Sequence, residues 1–288
     1  MLVVLSMIWG VTWPFMKIAL DEIPPLSMRS GAAALGALTL ALICLVKRRR
    51  FRIATARAWA HVAIASLFNI VGFSLLSAFA QTATATSRVT ILTYAMPVWT
   101  VLLAWAVLDE RPTRMQQFAV VLCLAGLAVL MEPVLRAGLP LGLFLGLATG
   151  ASWSAGTIYL KWARIEADAI TVASWQLTIG FLIIAACLFL FEGRPHFDHA
   201  HTPALLALAF TGIAGNGIAY GLWFAIVGRV PAATASLGVL SVPVIGVVAS
   251  IIILGERPTT ADLVGFALIL GASACALAVR ATPAKAIA

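Results

Sequence analysis

The sequence predicts an all-α polytopic membrane protein, with ten transmembrane helices arranged as two inverted five-helix repeats. Three observations predict it. Of 288 residues, 62% are hydrophobic and only 10% charged, against about 45–50% and about 25% in soluble domains. The apolar residues fall into ten runs close to the roughly 20 residues that a bilayer span needs. Landmarks of the first half recur in the second at a nearly constant offset. Disorder, a coiled coil, a disulfide scaffold and a nucleic-acid-binding module are all excluded by this composition. The net charge of +8 comes from 19 basic residues set between apolar runs, the pattern of inner-membrane proteins. Ten spans use about 200 residues and leave no room for a second domain.

The runs break at charges and at Pro or Gly. Span 1 (2–20) has no basic stretch before it and no small-residue cleavage site, so it is read as a retained helix and not a signal peptide. Trp9 and Trp13 share one of its faces, and Lys17 sits near its end. Span 2 (27–46) stops at Lys47-Arg48-Arg49-Arg50. Span 3 (59–80) carries Asn69 and Phe73 one turn apart, with Ser74 and Ser77 beside them.

Span 4 (87–108) holds Met96, Trp99 and a polar stripe. Thr86, Thr90, Thr93, Tyr94 and Pro97 follow i, i+4, i+7, i+8, i+11 spacing, which is one helical face. A lipid-facing side would not be polar, so the stripe packs on another helix or lines a cavity. Pro97 lies mid-span and frees backbone carbonyls that need a partner.

Span 5 (116–131) follows a charged turn. Span 6 (139–161) has a small-residue stripe, Gly142, Gly146 and Gly150, suited to close packing. Trp153 lies just beyond it and Lys161 at its end. Span 7 (170–191) contributes Trp175 and Gln176, and span 8 (203–227) contributes Asn216 and Tyr220. Span 9 (232–254) has Ser236, Ser241 and Pro243, and span 10 (261–279) closes the set.

Trp9 and Lys17 recur as Trp153 and Lys161, shifted by 144. Asn69 and Phe73 recur as Asn216 and Tyr220, shifted by 147, and Pro97 as Pro243, shifted by 146. Glu110-Arg111-Pro112-Thr113 recurs as Glu256-Arg257-Pro258-Thr259, also shifted by 146. The offsets divide the chain into repeats of 1–136 and 137–288. Five spans is an odd number, so the second copy enters the membrane from the opposite side. Inverted repeats are a mark of secondary transporters that work by alternating access, with the substrate site near the midplane.

Lysine and arginine counts in short loops set the orientation. The loop from Lys47 to Arg57 holds six cations, and placing it in the cytoplasm puts 13 of the 19 cations and both termini there. Its expected partners are anionic lipid head groups. Arg29 is counted with the opposite loops.

The opening Ile8-Trp-Gly-Val-Thr-Trp-Pro-Phe15, Leu108-Asp-Glu-Arg-Pro112 and Leu254-Gly-Glu-Arg-Pro258 resemble the drug/metabolite transporter superfamily, specifically proteins with two EamA domains. Tyr94-Ala-Met-Pro97 is similar to the Tyr-x-Trp-Pro stretch of bacterial aromatic amino-acid exporters, with Met96 at the Trp position. The resemblance implies a multi-pass protein of the bacterial inner membrane that exports amino acids, aromatic and other neutral ones, or related metabolites.

The candidate substrate set is Trp9, Trp13, Asn69, Phe73, Ser74, Ser77, Thr90, Tyr94, Met96, Pro97, Trp99, Trp153, Trp175, Gln176, Asn216, Tyr220, Ser236, Ser241 and Pro243. Each has a second role open to it. Deep tryptophans either pack the core or form an aromatic pocket, and helix asparagines either bond a neighbouring helix or line a cavity. Lys17 and Lys161 either snorkel to the head groups or offer charge at each mouth of the pathway. All eleven carboxylates fall in loops or at span ends, and the only His near a span, His61, is at an edge. Facilitated transport down a gradient is therefore expected. Export of drugs, toxic compounds or lipids, with proton coupling, is the alternative. There is no phosphate-binding Gly-rich loop and no nucleophile–base pair within the spans, so neither an ATP-driven pump nor an enzyme is expected. No cofactor or metal is expected either: His196, Asp198, His199 and His201 share one loop without convergent ligands.

Overall fold

The computed structural model describes residues 2–48, 52–135, 141–227 and 241–278. Among these residues are ten helices and no strand. They are α1 (Leu2–Leu20), α2 (Pro25–Val46), α3 (Ala56–Ala83), α4 (Thr86–Leu108) and α5 (Arg114–Leu135), then α6 (Leu141–Ala163) and α7 (Ala169–Phe191). Helix α8 runs from Thr202–Phe210 through Thr211–Ile218 into Ala219–Val227. Helices α9 (Ser241–Leu254) and α10 (Thr260–Ala278) complete the set. Seven helices are long and apolar enough to cross a membrane, and shorter apolar stretches in α5, α9 and α10 supply the rest. The first part of the ninth span, Ser236 included, lies outside the described residues.

Helix α1 packs on α8 and α9, and α6 packs on α3 and α4. Helix α2 packs on α7 and α8, α7 on α2 and α3, and α5 on α10. Exchanging each helix with the one five places away returns the same set of pairs.

Small residues set how close the pairs come. Lipid tails are as apolar as leucine, so helices in a bilayer associate through backbone approach and not through burial alone. A methyl group on Gly10 of α1 would stand 2.5 Å from Ile245 Cγ2 of α9. On Gly150 of α6 it would stand 2.5 Å from the Thr93 carbonyl oxygen of α4. Gly142 and Gly146 seat Thr84 and Leu92 in turn, so the predicted stripe is a packing seam.

The same contacts give direction. Gly142, Gly146 and Gly150 meet Thr84, Leu92 and Thr93 in ascending order, so α4 and α6 run parallel. Gly10 lies beside Val242 and Ile245, and Gly246 beside Trp13, so α1 and α9 also run parallel. Yet the chain leaving α9 meets the start of α4, where Glu256 accepts from the Thr86 and Ser87 backbone. The two pairs are antiparallel to each other, which is the inversion that the repeat predicts.

Three helices depart from α geometry at related places. π-helical turns occupy Leu67–Gly72 in α3 and Thr211–Ile218 in α8, each ending just before the aromatic of the repeat, Phe73 or Tyr220. Such turns insert a residue into the ladder and re-aim the side chains beyond it. Helix α4 breaks at Tyr94–Ala95 and restarts at Met96, with Pro97 in its first turn.

Candidate functional site

Six aromatic side chains from both halves meet where the two helix pairs cross. Trp9 of α1 lies edge-on to Tyr220 of α8, 6.1 Å between ring centres. Its repeat counterpart, Trp153 of α6, lies edge-on to Phe73 of α3 at 5.2 Å. Trp153 also reaches Tyr220 at 5.9 Å, and Trp13 reaches Phe73 and Tyr94, each at 6.4 Å. Edge-to-face contacts at these distances are favourable aromatic pairs. Trp9, Phe73, Trp153 and Tyr220 are only half-buried, so the frame keeps apolar faces accessible. Met96 packs against it.

The two tryptophans of the repeat differ in one respect. The Trp9 indole donates to the Gly215 carbonyl in the π-helical turn of α8, 3.2 Å. The equivalent carbonyl in α3, that of Phe68, is taken by Ser152 at 2.7 Å. Trp153 Nε1 is left without a hydrogen-bond partner among the described residues.

The break in α4 leaves carbonyls that other helices satisfy. Tyr94 O accepts from Ser273 Oγ of α10 at 2.9 Å, and Met96 O accepts from Ser154 Oγ of α6 at 2.8 Å. Pro97 offers no N–H to Thr93 O, which instead lies against Gly150. This is how a membrane helix tolerates an interior proline.

The polar candidates mostly join helices. Thr90 Oγ1 bonds back to Thr86 O while its methyl meets Gly246, and Thr93 Oγ1 donates to Gly146 O. Asn69 Nδ2 donates to Gln176 Oε1 at 3.1 Å, and Asn216 Nδ2 to Ala32 O at 3.2 Å. Ser77 Oγ donates to Phe73 O and Ser74 O. Trp175 stands away from the frame, against Trp59 at 4.6 Å, and Trp99 is half-buried with no ring contact among the described residues. Pro243 is buried in the first turn of α9, and Ser241, just before it, is exposed.

The lysines of the repeat both end in ion pairs. Lys17 pairs with Asp21 one turn on, and Lys161 with Glu110 at 2.6 Å. In the Lys47–Arg57 loop, Lys47, Arg48, Arg52 and Arg57 are exposed, whereas Ile53 is buried in a cluster with Val62 and Val172.

The end of the molecule that holds Glu256 is tied by carboxylates. Glu256 accepts from Thr86 N at 2.6 Å and Ser87 N at 2.9 Å, capping α4. Glu192, just past α7, does the same for α2 through Leu26 N, Ser27 N and Ser27 Oγ at 2.7–2.9 Å. Arg88 and Asp262 form a two-point pair at 2.6 and 2.9 Å. Glu22 accepts from His201 N at 2.6 Å, and that N–H holds its carboxyl below the usual carboxylate range. Each helix start offers unpaired N–H groups and a positive dipole end, which a carboxylate satisfies. Composition gave no sign of these caps, because the partners are 165–170 residues apart.

Sequence reasoning also missed Arg29. It lies in the first turns of α2 and is only 4% exposed, so it is a buried charge and more than a marker of orientation. The sign was present in the span itself, since a cation within 27–46 is by default a functional candidate in a membrane helix.

Residues 1–131 and 140–278 match the EamA-like transporter family. Two Bacillus subtilis proteins, the uncharacterized transporters YvbV and YoaV, are 27% and 25% identical to the chain. The YvbV alignment covers 100% of this chain and 93% of the relative, and the YoaV alignment 92% and 91%. A Salmonella typhimurium protein named probable amino-acid metabolite efflux pump is 25% identical over 91% of this chain and 89% of its own. A solved structure described only as the crystal structure of a protein superposes with a TM-score of 0.67 at 22% identity, covering 96% and 94% of the two chains.

Proposed function

The chain belongs to the EamA-like transporter family, and we propose that it exports amino acids, aromatic and other neutral ones, or related small metabolites by alternating access. The observation that carries this reading is the aromatic frame. It draws Trp9 and Trp13 from α1, Phe73 and Tyr94 from α3 and α4, and Trp153 and Tyr220 from the second half. A ligand held there touches both halves, so rocking one against the other changes its access without moving the site. Trp153 offers the ligand an apolar face and an unused indole N–H. The family relative named for amino-acid metabolite efflux supports the cargo class.

The repeats 1–136 and 137–288 act as the moving halves. Both termini and the Lys47–Arg57 loop lie in the cytoplasm of a bacterial inner membrane, that loop against anionic head groups. The carboxylate-tied end then faces outward, and the conformation is one closed to the outside. Flux runs down the cargo gradient, because Glu22, Glu110, Glu192, Glu256 and Asp262 sit at helix ends in caps and ion pairs and not in the frame.

The test is purified protein in liposomes loaded with labelled Phe, Thr or Met, without a proton gradient. Efflux is expected, and Trp153→Ala should lower it at least tenfold. No flux of any amino acid, with efflux of hydrophobic drugs or lipid instead, overturns the cargo assignment.

A further inference from the structure

Arg29 is the fifth residue of α2 and, with Asp262, one of the two buried charges among the described residues. An arginine near a helix end normally extends its head to the interface, keeping the charge in water. This one turns inward. Its Nη2 donates to Ser77 Oγ of α3, whose own proton goes to the Phe73 and Ser74 carbonyls. Its Nε is buried with no acceptor. Ser77 is bonded in turn to the backbone of Phe73, so the guanidinium stands one hydrogen bond away from a member of the aromatic frame.

Among the described residues no carboxylate pairs with it. The acids at that end are engaged elsewhere: Glu192 on α2, Glu256 on α4, Asp262 on Arg88 and Glu22 on His201. An unpaired buried cation is costly in a membrane helix, and guanidinium has five donors in a planar fork that matches a carboxylate. One turn along α3 from Ser77, the Gln81 amide donates to Trp13 O at 3.1 Å, while its Oε1 is buried with no donor. A donor without an acceptor and an acceptor without a donor thus stand on neighbouring turns. The zwitterion of an α-amino acid carries both missing partners.

We propose that Arg29 is the anchor for the carboxylate of the cargo, with Gln81 Oε1 accepting from its ammonium group and the aromatic frame taking its side chain. This rests on the export reading for the cargo class, but it predicts binding by itself. The site selects organic acids and amino acids over amines that lack the carboxylate.

The test is thermal stabilisation of the detergent-purified protein by three probes: L-phenylalanine, 3-phenylpropionate and phenethylamine. Phenylalanine and 3-phenylpropionate should raise the melting temperature, and phenethylamine should not. Arg29→Lys should weaken the acid about tenfold and Arg29→Gln about a hundredfold or more. Equal stabilisation by acid and amine, or none by either, overturns the proposal, and this wild-type comparison stands even where Arg29→Gln fails to fold. Arg29-dependent acid binding without any amino-acid flux in liposomes removes the export reading and keeps the anchor. Flux that does not distinguish phenylalanine from phenylalaninamide removes the anchor and keeps export.

Discussion

The two copies of Glu-Arg-Pro-Thr make the same turn and hold different partners. Each Glu comes just after a residue in the left-handed region, Asp109 at φ 54 and Gly255 at φ 67. Each Thr then caps the next helix, Thr113 with Gln116 and Thr259 with Asp262, as a reciprocal capping box does. The backbone of the motif is therefore a helix stop and then a helix start. Between those two events the glutamates diverge. Glu110 reaches Lys161, joining α4 to α6, which are already parallel neighbours. Glu256 reaches the start of α4, joining the α1–α9 pair to the antiparallel α4–α6 pair. One copy works within a pair, and the other ties the two pairs together. Inversion puts the copies at opposite ends, and the proposed alternating access requires that their equivalence be broken.

The tryptophans repeat the lesson. Trp9 spends its indole N–H on the α8 backbone, whereas at Trp153 Ser152 takes the equivalent carbonyl and the indole has no partner among the described residues.

The largest expected effect comes from the seam that both ends depend on. Gly150→Val pushes side-chain atoms into the Thr93 carbonyl, and overpacking of this kind costs about 1–3 kcal/mol or more. A thermal melt in detergent should show it, while Gly221→Ala, whose methyl would meet only ordinary contacts at 3.5 and 3.6 Å, should be far milder. The two glutamates should differ by the next largest margin. Glu256→Gln removes a charged acceptor from two backbone N–H groups, where charge-assisted bonds contribute about 1.5–3 kcal/mol. Its melt should fall clearly below that of Glu110→Gln. The Glu110–Lys161 pair is exposed, 57% at Lys161 and 52% at Glu110, so a double-mutant cycle should give a coupling of only about 0.2–1 kcal/mol, lost in high salt. Equal losses from the two glutamates would erase the asymmetry.

The smallest effect is a matter of pH. The His201 N–H lowers the Glu22 pKa in the folded protein. A depressed carboxylate stabilises above its unfolded pKa and loses that stabilisation as pH falls through its folded value. Glu22→Gln should therefore lower the melting temperature slightly at neutral pH and leave it unchanged in acid below both values.

Much of the frame was legible in the sequence because it repeats. Trp9 with Trp153 and Phe73 with Tyr220 announced themselves by offset, and the first span ended at Leu20 because Asp21 and Glu22 come next. The hidden part depends on rotation and on distant partners. The threonine stripe of α4 reads as polar, yet a threonine hydroxyl satisfies itself on the carbonyl four residues back, as Thr90 does. Trp175 is as apolar as Trp153, but its depth and facing put it against Trp59. The π-helical turns have no periodic marker, although Gly212, Gly215 and Gly217 of the second one mark its close approach to α1 and α2. Arg29 was hidden because a cation near a span end ordinarily extends to the interface, whereas in the fold its head turns inward to Ser77.

The most direct test asks whether Glu256 closes its end of the pathway. Phe73→Cys, in a background with Cys44, Cys123, Cys187 and Cys275 replaced, places one thiol in the aromatic frame. A membrane-impermeant thiol reagent is then added from the Glu256 side in oriented vesicles. Slow labelling, accelerated at least tenfold by Glu256→Gln and unchanged by Glu110→Gln, is the predicted result. Fast labelling from that side with Glu256 intact would contradict the account.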